Sequence, residues 1–124
     1  MFAEALKLVK PFAEHQAVCL AMTTASTARQ GDPPAAAIAS FQKLTDLPVL
    51  PASRCAFEEF PSVIETGERA MLYTVVVEPR HAGSPIKFWA AATYGNEGSN
   101  GAEFVLRRGL TGWFAVSTGV SLIS

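Results

Sequence analysis

Hydrophobic residues recur every three or four positions through the first twenty residues of the chain. The repeat runs through Phe2, Leu6, Val9, Ala13, Ala17 and Leu20. This spacing places the apolar side chains on one face of an α-helix, with charged residues such as Lys7 and Glu14 opposite. Pro11 falls within the pattern without shifting it, and a proline on the outer face of a helix produces a kink. We therefore predict one helix kinked at Pro11, with two separate helices as the alternative.

A second helix is predicted after a small, polar segment from Thr23 to Gly31. Asp32 offers an oxygen that can cap the helix, and Pro33 suits its first position, where a missing N–H costs nothing. Apolar residues continue at helical spacing to Leu44, and the prolines that follow cannot extend the helix. Residues Thr45–Ala52 form the predicted connector.

After Pro51 the helical repeat gives way to segments rich in Val, Thr and aromatic residues. Five strands are predicted there: Ser53–Phe60, Arg69–Glu78, Ile86–Tyr94, Ala102–Arg108 and Trp113–Thr118, the last extending towards Ile123. Turns are predicted at Thr66–Glu68 and over Gly95–Gly101, a region in which the dipeptide Asn100-Gly101 favours a tight hairpin. Short connections allow only antiparallel neighbours. Apolar residues on both faces of Arg69–Glu78 predict a central strand that is covered on both sides.

These elements predict a single α+β domain over residues 1–124, with a helical part at 1–47 and an antiparallel sheet at 52–124. Two N-terminal helices pack on a β-meander of about five strands. In outline this arrangement resembles the helix-wrapped curved sheets of the cystatin-like and nuclear-transport-factor-like type. The resemblance implies a fold and leaves the function open, because such scaffolds host enzymes and binding proteins alike.

The composition predicts that one folded copy of the chain leaves part of its apolar side chains exposed. Of the 124 residues, 49% are hydrophobic and 17% are charged, whereas soluble domains average about 25% charged residues. A homodimer or a protein partner is therefore expected. The net charge is −1 and the densest basic cluster is Arg107-Arg108, which argues against a nucleic-acid partner. No apolar run approaches the ~20 residues that cross a bilayer, so no membrane span is expected.

The two cysteines leave two interpretations open. Cys19 and Cys55 lie too far apart for a CxxC redox or zinc motif. They are either buried thiols in a reducing compartment or one disulfide in an oxidising compartment. Charged residues before Val18 interrupt any continuous apolar signal segment. We expect a cytoplasmic protein if Met1 is the native start, and a periplasmic or secreted protein if a signal peptide was removed.

Residues that could carry catalysis are sparse. The two histidines, His15 and His81, lie on different predicted elements, and the sequence has no motif for a metal, a phosphate or a nucleophile. No catalytic residue, metal or cofactor is therefore assigned. His81 lies in a loop beside Arg80 and is the titratable group best placed at the mouth of a pocket. A small curved-sheet enzyme of the isomerase or hydrolase type, with His81 or a strand glutamate as its base, is the alternative function.

Large aromatic side chains favour a binding function instead. Trp89 shares its strand face with polar residues, which predicts a partly exposed anchor, whereas Trp113 after a glycine turn is expected in the core. Tyr94 could line a ligand pocket or an interface, and Arg107 could add a charged contact beside Trp89. We therefore predict a non-enzymatic binding module that uses an apolar sheet face for a protein partner, for self-association or for a small apolar ligand. A bacterial envelope accessory protein with one disulfide is the third hypothesis.

Overall fold

The computed structural model describes residues 1–23, 31–78, 83, 85–95, 98–110 and 112–123. In chain order its elements are α1 (Phe2–Leu8), β1 (Ala17–Thr23), α2 (Ala35–Gln42), β2 (Val49–Pro51), a 3-10 helix (Ala52–Arg54), β3 (Cys55–Ala56), β4 (Ser62–Val63), β5 (Ala70–Val77), β6 (Ile86–Thr93), β7 (Ser99–Gly109) and β8 (Gly112–Ile123). The main sheet has six strands in the order β2-β1-β5-β6-β7-β8, and β3 pairs with β4 in a separate ribbon.

The sheet has a parallel end and an antiparallel end. β1 runs parallel to both β2 and β5, and these three strands form the parallel end. β5, β6, β7 and β8 are successive antiparallel neighbours, and we call β6-β7-β8 the antiparallel end. The chain is therefore an α+β protein with a mixed sheet.

Both helices pack on one face of the sheet. α1 lies against β5, β6 and β7, and α2 lies beside β2. The core between helices and sheet contains fully buried Leu20, Tyr73 and Phe88, joined by Phe2 of α1 and Phe41 of α2. Because each large apolar side chain contributes about 1.5–3 kcal/mol when it is removed from water, this layer is a main source of stability.

Tyr73 ties this core to the end of α1. Its hydroxyl donates a hydrogen bond of 2.7 Å to the carbonyl oxygen of Val9, and its ring packs against Phe41 with 5.4 Å between centroids. Burial raises the pKa of the Tyr73 hydroxyl above its ordinary value, because the phenolate would lose its hydration. A neutral hydroxyl therefore satisfies a main-chain carbonyl at the point where α1 has ended.

The parallel end is also covered on its second face. The 3-10 helix contacts β1, and β4 contacts β5. Mostly small apolar side chains fill the layer between these elements and the sheet: Ala17, Cys19, Ala21, Ala52, Cys55, Val63, Ala70 and Leu72. A disulfide joins Cys19 of β1 to Cys55 of β3, and both residues are buried. The disulfide interpretation of the two cysteines therefore applies, and the bond fastens a ribbon with only two residues per strand to the sheet.

The prediction of one kinked helix from Phe2 to Leu20 is wrong, and so is the alternative of two helices. α1 ends at Leu8, and Val9 already has an extended backbone. The second half of the predicted helix is strand β1, which is buried on both faces and therefore lacks polar intervals. A short continuous apolar run fits a helical repeat as well as it fits a strand. Pro11 disfavours helix at the residue before it and so separates α1 from β1.

The sheet is mixed rather than entirely antiparallel because β1 lies in its interior, which also raises the strand number above the expected five. β2 forms within the predicted connector Thr45–Ala52. α2 lies between β1 and β2 in the chain, and the ribbon lies between β2 and β5, so both connections are long enough for parallel crossovers. This parallel end departs from the meander on which the resemblance to cystatin-like folds was based.

The start of α2 also differs from its prediction. α2 begins at Ala35 without a side-chain cap. The Asp32 carboxylate instead accepts hydrogen bonds from the main-chain N–H and the hydroxyl of Ser53, at 2.8 and 2.6 Å. Asp32 therefore fastens the segment before α2 to the segment after β2. The predicted strand Ser53–Phe60 is replaced by the 3-10 helix and the short strand β3.

The hairpin between β6 and β7 turns within the predicted region Gly95–Gly101, but at the start of that region rather than at Asn100-Gly101. Asn100-Gly101 lies inside β7 and pairs with β6. The turn is closed by a hydrogen bond of 3.0 Å from the Tyr94 N–H to the Gly98 carbonyl. The dipeptide Asn100-Gly101 therefore lies in a strand although it favours turns, because pairing with β6 gives both of its residues a partner.

The remaining strand predictions are confirmed. β5 lies between β1 and β6 and is buried on both faces up to Val75, as its apolar run predicts. β6 alternates between buried and partly exposed residues, and β7 and β8 form the predicted last hairpin. Gly67, with φ 72°, lies in the predicted turn before β5 and has the left-handed backbone that glycine accepts most easily.

Candidate protein-binding surface

Within the described residues, the antiparallel end carries helices on one face only. Side chains alternate between the two faces of a strand, and directly paired residues share a face. Phe88 of β6 and its partner Phe104 of β7 stack towards the helices. The alternate residues form the opposite surface, which we call the open face. Its large apolar members include Trp89, Val105, Phe114, Val116 and Leu122.

Trp89 lies across the main chain of β7. A Cβ placed on Gly101 would come within 2.6–2.7 Å of three atoms of the indole ring. The ring therefore occupies the space that a side chain at position 101 would need. Trp89 is half-buried in this position, and its direct partners are Val76 of β5 and Glu103 of β7. The indole can lie against the sheet because Gly101 has no side chain, and no helix among the described residues covers it on this face.

β8 is the last strand of the sheet and is exposed along almost its whole length. Its twelve residues include no charged residue and no proline. Among the described residues, twelve large hydrophobic side chains are exposed, and seven of these belong to β8 or to the turn before it. These seven are Leu110, Trp113, Phe114, Val116, Val120, Leu122 and Ile123. On the side away from β7, the main chain of β8 meets no other strand of the described sheet, and we call this side the β8 edge.

A bulge divides β8 into two segments. The pairing with β7 shifts register at Glu103, which faces three residues of β8. Gly119 has φ 91° within this bulge, and the Thr118 hydroxyl donates a hydrogen bond of 2.9 Å to the Glu103 carboxylate. Bulges bend and twist an edge strand, which limits the length over which another strand can pair with it. The regular part of β8 is therefore the segment from Gly112 to Ser117.

Arg107 lies on the open face, exposed and opposite Phe114 of β8. It is four residues from Glu103, the partner of Trp89, and so lies ~13 Å away along β7 at ~3.3 Å per residue. The structure therefore places Arg107 and Trp89 on one face but does not bring them together. Arg107 borders the apolar residues of β8 instead.

Tyr94 lies on the face of the helices, at the end of β6. Its ring packs against Phe12 with 5.2 Å between centroids, and its hydroxyl donates a hydrogen bond of 3.1 Å to Asn100. Its carbonyl oxygen accepts a hydrogen bond of 3.3 Å from Nε2 of His15, whose Nδ1 accepts the Phe12 N–H at 2.8 Å. Tyr94 is thus part of a cluster that fastens the segment between α1 and β1 to the β6–β7 turn, away from Trp89.

A groove of about 610 Å³ adjoins this cluster, between the segment after α1 and the segment after α2. Leu6 and Leu44 give it apolar walls, and Lys10 and Asp46 add one charge of each sign. His15 also lines the groove but is only 3% exposed. Both of its ring nitrogens are engaged by main-chain groups, so neither is free for acid–base chemistry.

The predicted site residue His81, like its neighbour Arg80, lies outside the described residues. In the part of the chain that the structure describes, His, Cys, Asp and Glu side chains form no group of three or more that could hold a metal ion. No helix among the described residues is both long enough and apolar enough to cross a lipid bilayer.

The β8 edge contains the residues that the sequence pattern does not identify as a site. Trp113 is expected in the core, but its side chain is 59% exposed at the start of β8. The expectation is wrong because apolar residues on both faces are typical of a covered strand, and β8 has that pattern without the cover. One feature of the sequence could have indicated an exposed edge strand. The last strand of the predicted hairpin belongs to a segment of twelve residues that contains no charged residue and no proline.

No protein-family model matches the chain, and neither a curated protein nor a solved structure is significantly similar to it. The binding surface is therefore assigned from its own geometry and chemistry.

Proposed function

We propose that this protein is a binding module that holds a protein partner at the β8 edge and on the open face. The observation that carries this proposal is the concentration of exposed apolar side chains in residues 110–123. Soluble monomers rarely expose contiguous apolar patches larger than a few hundred Å². Such a surface is typical of a site that another protein covers.

The edge and the face would contribute different interactions. An extended segment that pairs with β8 would give its outward main-chain groups hydrogen-bond partners, as in β-augmentation. Side chains of that segment would alternate between the two faces and would meet Phe114 and Val116 on one face and Trp113 on the other. Trp89 lies two strands further in and would give the open face a rigid aromatic anchor. Arg107 would border the contact and would favour a carboxylate at its rim.

A protein suits this surface better than a small apolar molecule does. Small-molecule sites are concave and enclose most of their ligand, whereas β8 is the outer strand of the sheet. The isomerase or hydrolase alternative also lacks a favouring observation among the described residues. His15 has both ring nitrogens engaged, Glu65 is paired with Arg54 at 2.8 Å, and Glu103 accepts the Thr118 hydroxyl. The cystatin-like or nuclear-transport-factor-like outline stays a prediction about the fold.

We also propose that the protein works in an oxidising compartment. The supporting observation is the Cys19–Cys55 disulfide, since such bonds form and persist in secreted and periplasmic environments. Freshly lysed cells would be treated with a thiol-alkylating reagent before and after reduction. We expect both cysteines to be modified only after reduction. Modification of both without reduction would contradict the assignment.

A photo-crosslinking residue tests the binding surface. Benzoyl-phenylalanine would replace Phe114 on β8 or, as a control, Phe57 in the segment between β3 and β4. The two phenylalanines are similarly exposed, at 49% and 41%. Illumination in an extract of the cells that make the protein should give a discrete adduct from position 114 and none from position 57. Val116→Lys in the same chain should abolish the adduct, because it places a charge within the apolar patch.

Two outcomes would refute the proposed surface. One is the same set of adducts from positions 114 and 57, which would mean random collision. The other is an adduct from position 114 that survives Val116→Lys, which would mean that the patch does not hold the partner.

A further inference from the structure

We infer that the partner of the β8 edge is a second copy of this chain, paired with it antiparallel through β8. This inference rests on the proposed function, because it names the occupant of the same surface. Pairing two β8 strands would join two six-stranded sheets into one continuous sheet. The outer edges of that sheet would both be β2, a strand of three residues that ends in Pro51. Short strands and prolines are features that stop further pairing, so the assembly would close at two copies.

Symmetry restricts how the two strands can pair. An antiparallel pair of identical strands needs a two-fold axis perpendicular to the sheet, which keeps the helices of both copies on the same side. Directly opposite residues must share a face, and side chains alternate along each strand. A residue must therefore face another residue an even number of positions away. The axis consequently passes between one residue and the same residue of the second copy, and we describe that residue as lying on the axis.

The regular part of β8 and the pairs that it can form favour Ala115 as the residue on the axis. With Ala115 on the axis, Gly112 faces Thr118 of the second copy, and the pairing ends where the bulge begins. Phe114 then faces Val116 of the second copy, and the symmetry repeats this contact. Pairs of an aromatic and a β-branched side chain are among the favourable cross-strand neighbours. Each β8 strand therefore carries both members of this favourable pair on the open face.

The apolar area is near the value that a stable dimer needs. Five exposed side chains lie in or beside this pairing: Leu110, Trp113, Phe114, Val116 and Val120. Each would bury on the order of 100 Å², so one chain contributes about 500 Å² of apolar area. The main chain and the Ser and Thr side chains of β8 add to this figure. Stable interfaces bury roughly 800 Å² per partner.

The charge distribution is compatible with self-pairing. β8 contains no charged residue, so the pairing opposes no like charges and desolvates no unpaired ion. Glu103, Arg107 and Arg108 lie on β7, one strand away from the contact. A strand with lysine or glutamate along its length would repel its own copy, and β8 lacks that safeguard.

The oligomeric state tests the inference. Sedimentation equilibrium would be measured from about 1 μM to about 1 mM, which covers weak and moderate affinities. We expect the mass to approach twice the chain mass of 13.2 kDa for the natural sequence, and to stay at one chain for Val116→Lys. The matched control is Ile64→Lys, because Ile64 is 60% exposed after β4, far from β8 in the fold, and this variant should still dimerise. A natural chain that stays monomeric over the whole range would overturn the inference, and so would a dimer that Val116→Lys leaves intact.

A second measurement does not depend on how well the lysine variant folds. Benzoyl-phenylalanine at position 114 of the purified protein should attach to the segment 112–118 of another copy, as mapped by mass spectrometry. Attachment to any other segment would overturn the proposed pairing. If the purified chain is monomeric while position 114 still captures a different protein in extract, self-pairing fails and the binding function stands. If position 114 captures nothing in either setting, both fail.

Discussion

The two ends of the sheet differ in how completely their strands are covered. At the parallel end, β1 is buried on both faces, and the outer strand β2 is three residues long and packs beside α2. At the antiparallel end, β8 has twelve residues and is exposed along almost its whole length. Proteins usually shorten, charge or cover an edge strand to prevent pairing with other chains. The β2 edge has such protection and the β8 edge has little beyond one bulge, which is the physical reason for assigning binding to β8.

The same types of apolar side chain therefore serve two purposes in this molecule. At the parallel end and beneath the helices they stabilise the fold, because the chain itself removes them from water. On β8 they remain in contact with water until a partner arrives. Substitutions that are chemically alike should consequently have unlike effects at the two ends.

The largest expected difference lies between two phenylalanines. Phe41→Ala empties a site that is 1% exposed and should lower the free energy of unfolding by about 4 kcal/mol. Phe114→Ala removes a ring that is 49% exposed and should change it by at most about 0.5 kcal/mol in dilute protein. Urea denaturation of both variants measures the difference. Equal losses would mean that β8 is packed within its own chain.

The disulfide should come next in size. Replacing both Cys19 and Cys55 with alanine should cost roughly 3 kcal/mol, because the bond closes a loop between residues 36 positions apart and fastens the β3–β4 ribbon. The free energy of unfolding measures this cost, and the natural protein unfolded under reducing conditions is the matched reference. A cost below about 1 kcal/mol would show that the ribbon packs firmly without the bond.

A smaller effect is expected from Tyr73→Phe. Loss of the hydrogen bond to Val9 should cost about 1 kcal/mol, since the carbonyl oxygen is left without its donor.

Tyr73 should also make the free energy of unfolding depend on pH. Burial raises the pKa of Tyr73 in the folded protein, while the unfolded chain keeps the ordinary value of about 10. The stabilising contribution is therefore complete below pH ~10 and is lost as the pH rises further, because the unfolded chain ionises first. Tyr73→Phe should remove this part of the decline in the free energy of unfolding. Parallel declines in both proteins would show that Tyr73 is not its source.

An effect of similar size is expected at the aromatic anchor of the open face. Gly101→Ala places a methyl group against the indole of Trp89 and should displace the ring, at a cost of about 1 kcal/mol. Fluorescence in a Trp113→Phe background reports on Trp89 alone. Gly95→Ala is the control, because a Cβ there would meet nothing within 4 Å. An unchanged spectrum in Gly101→Ala would place the indole elsewhere.

Part of this fold could be predicted from sequence because its signals are local. β5, β6 and the last hairpin follow from runs and alternation of apolar residues that belong to one strand at a time. β1 could not be predicted, since its apolar run also continues the spacing of α1. What distinguishes the two is pairing with β2 and β5, whose residues lie about 30 and 50 positions further along the chain.

The candidate site was predictable to a similar extent. The partial exposure of Trp89 follows from the polar neighbours on its own strand. The exposure of Trp113 and Phe114 does not, because it depends on which strand is last in the sheet. That order is a property of the whole fold. The composition therefore predicts that some apolar side chains are exposed, but it does not predict which strand carries them.

Residue-resolved amide hydrogen exchange, in dilute and in concentrated protein, tests most directly whether the antiparallel end is an unfilled binding edge. In dilute protein, alternate amides of Gly112–Ser117 should exchange rapidly because they point away from β7. The amides of β1 are protected instead, because β1 has a neighbour on both sides: β5 on one, and β2 followed by Gly31 on the other. In concentrated protein the rapid amides of β8 should become protected, and the rates in β1 should not change. Amides of β8 that are already as slow as those of β1 in dilute protein, or whose rates are independent of concentration, would contradict this account.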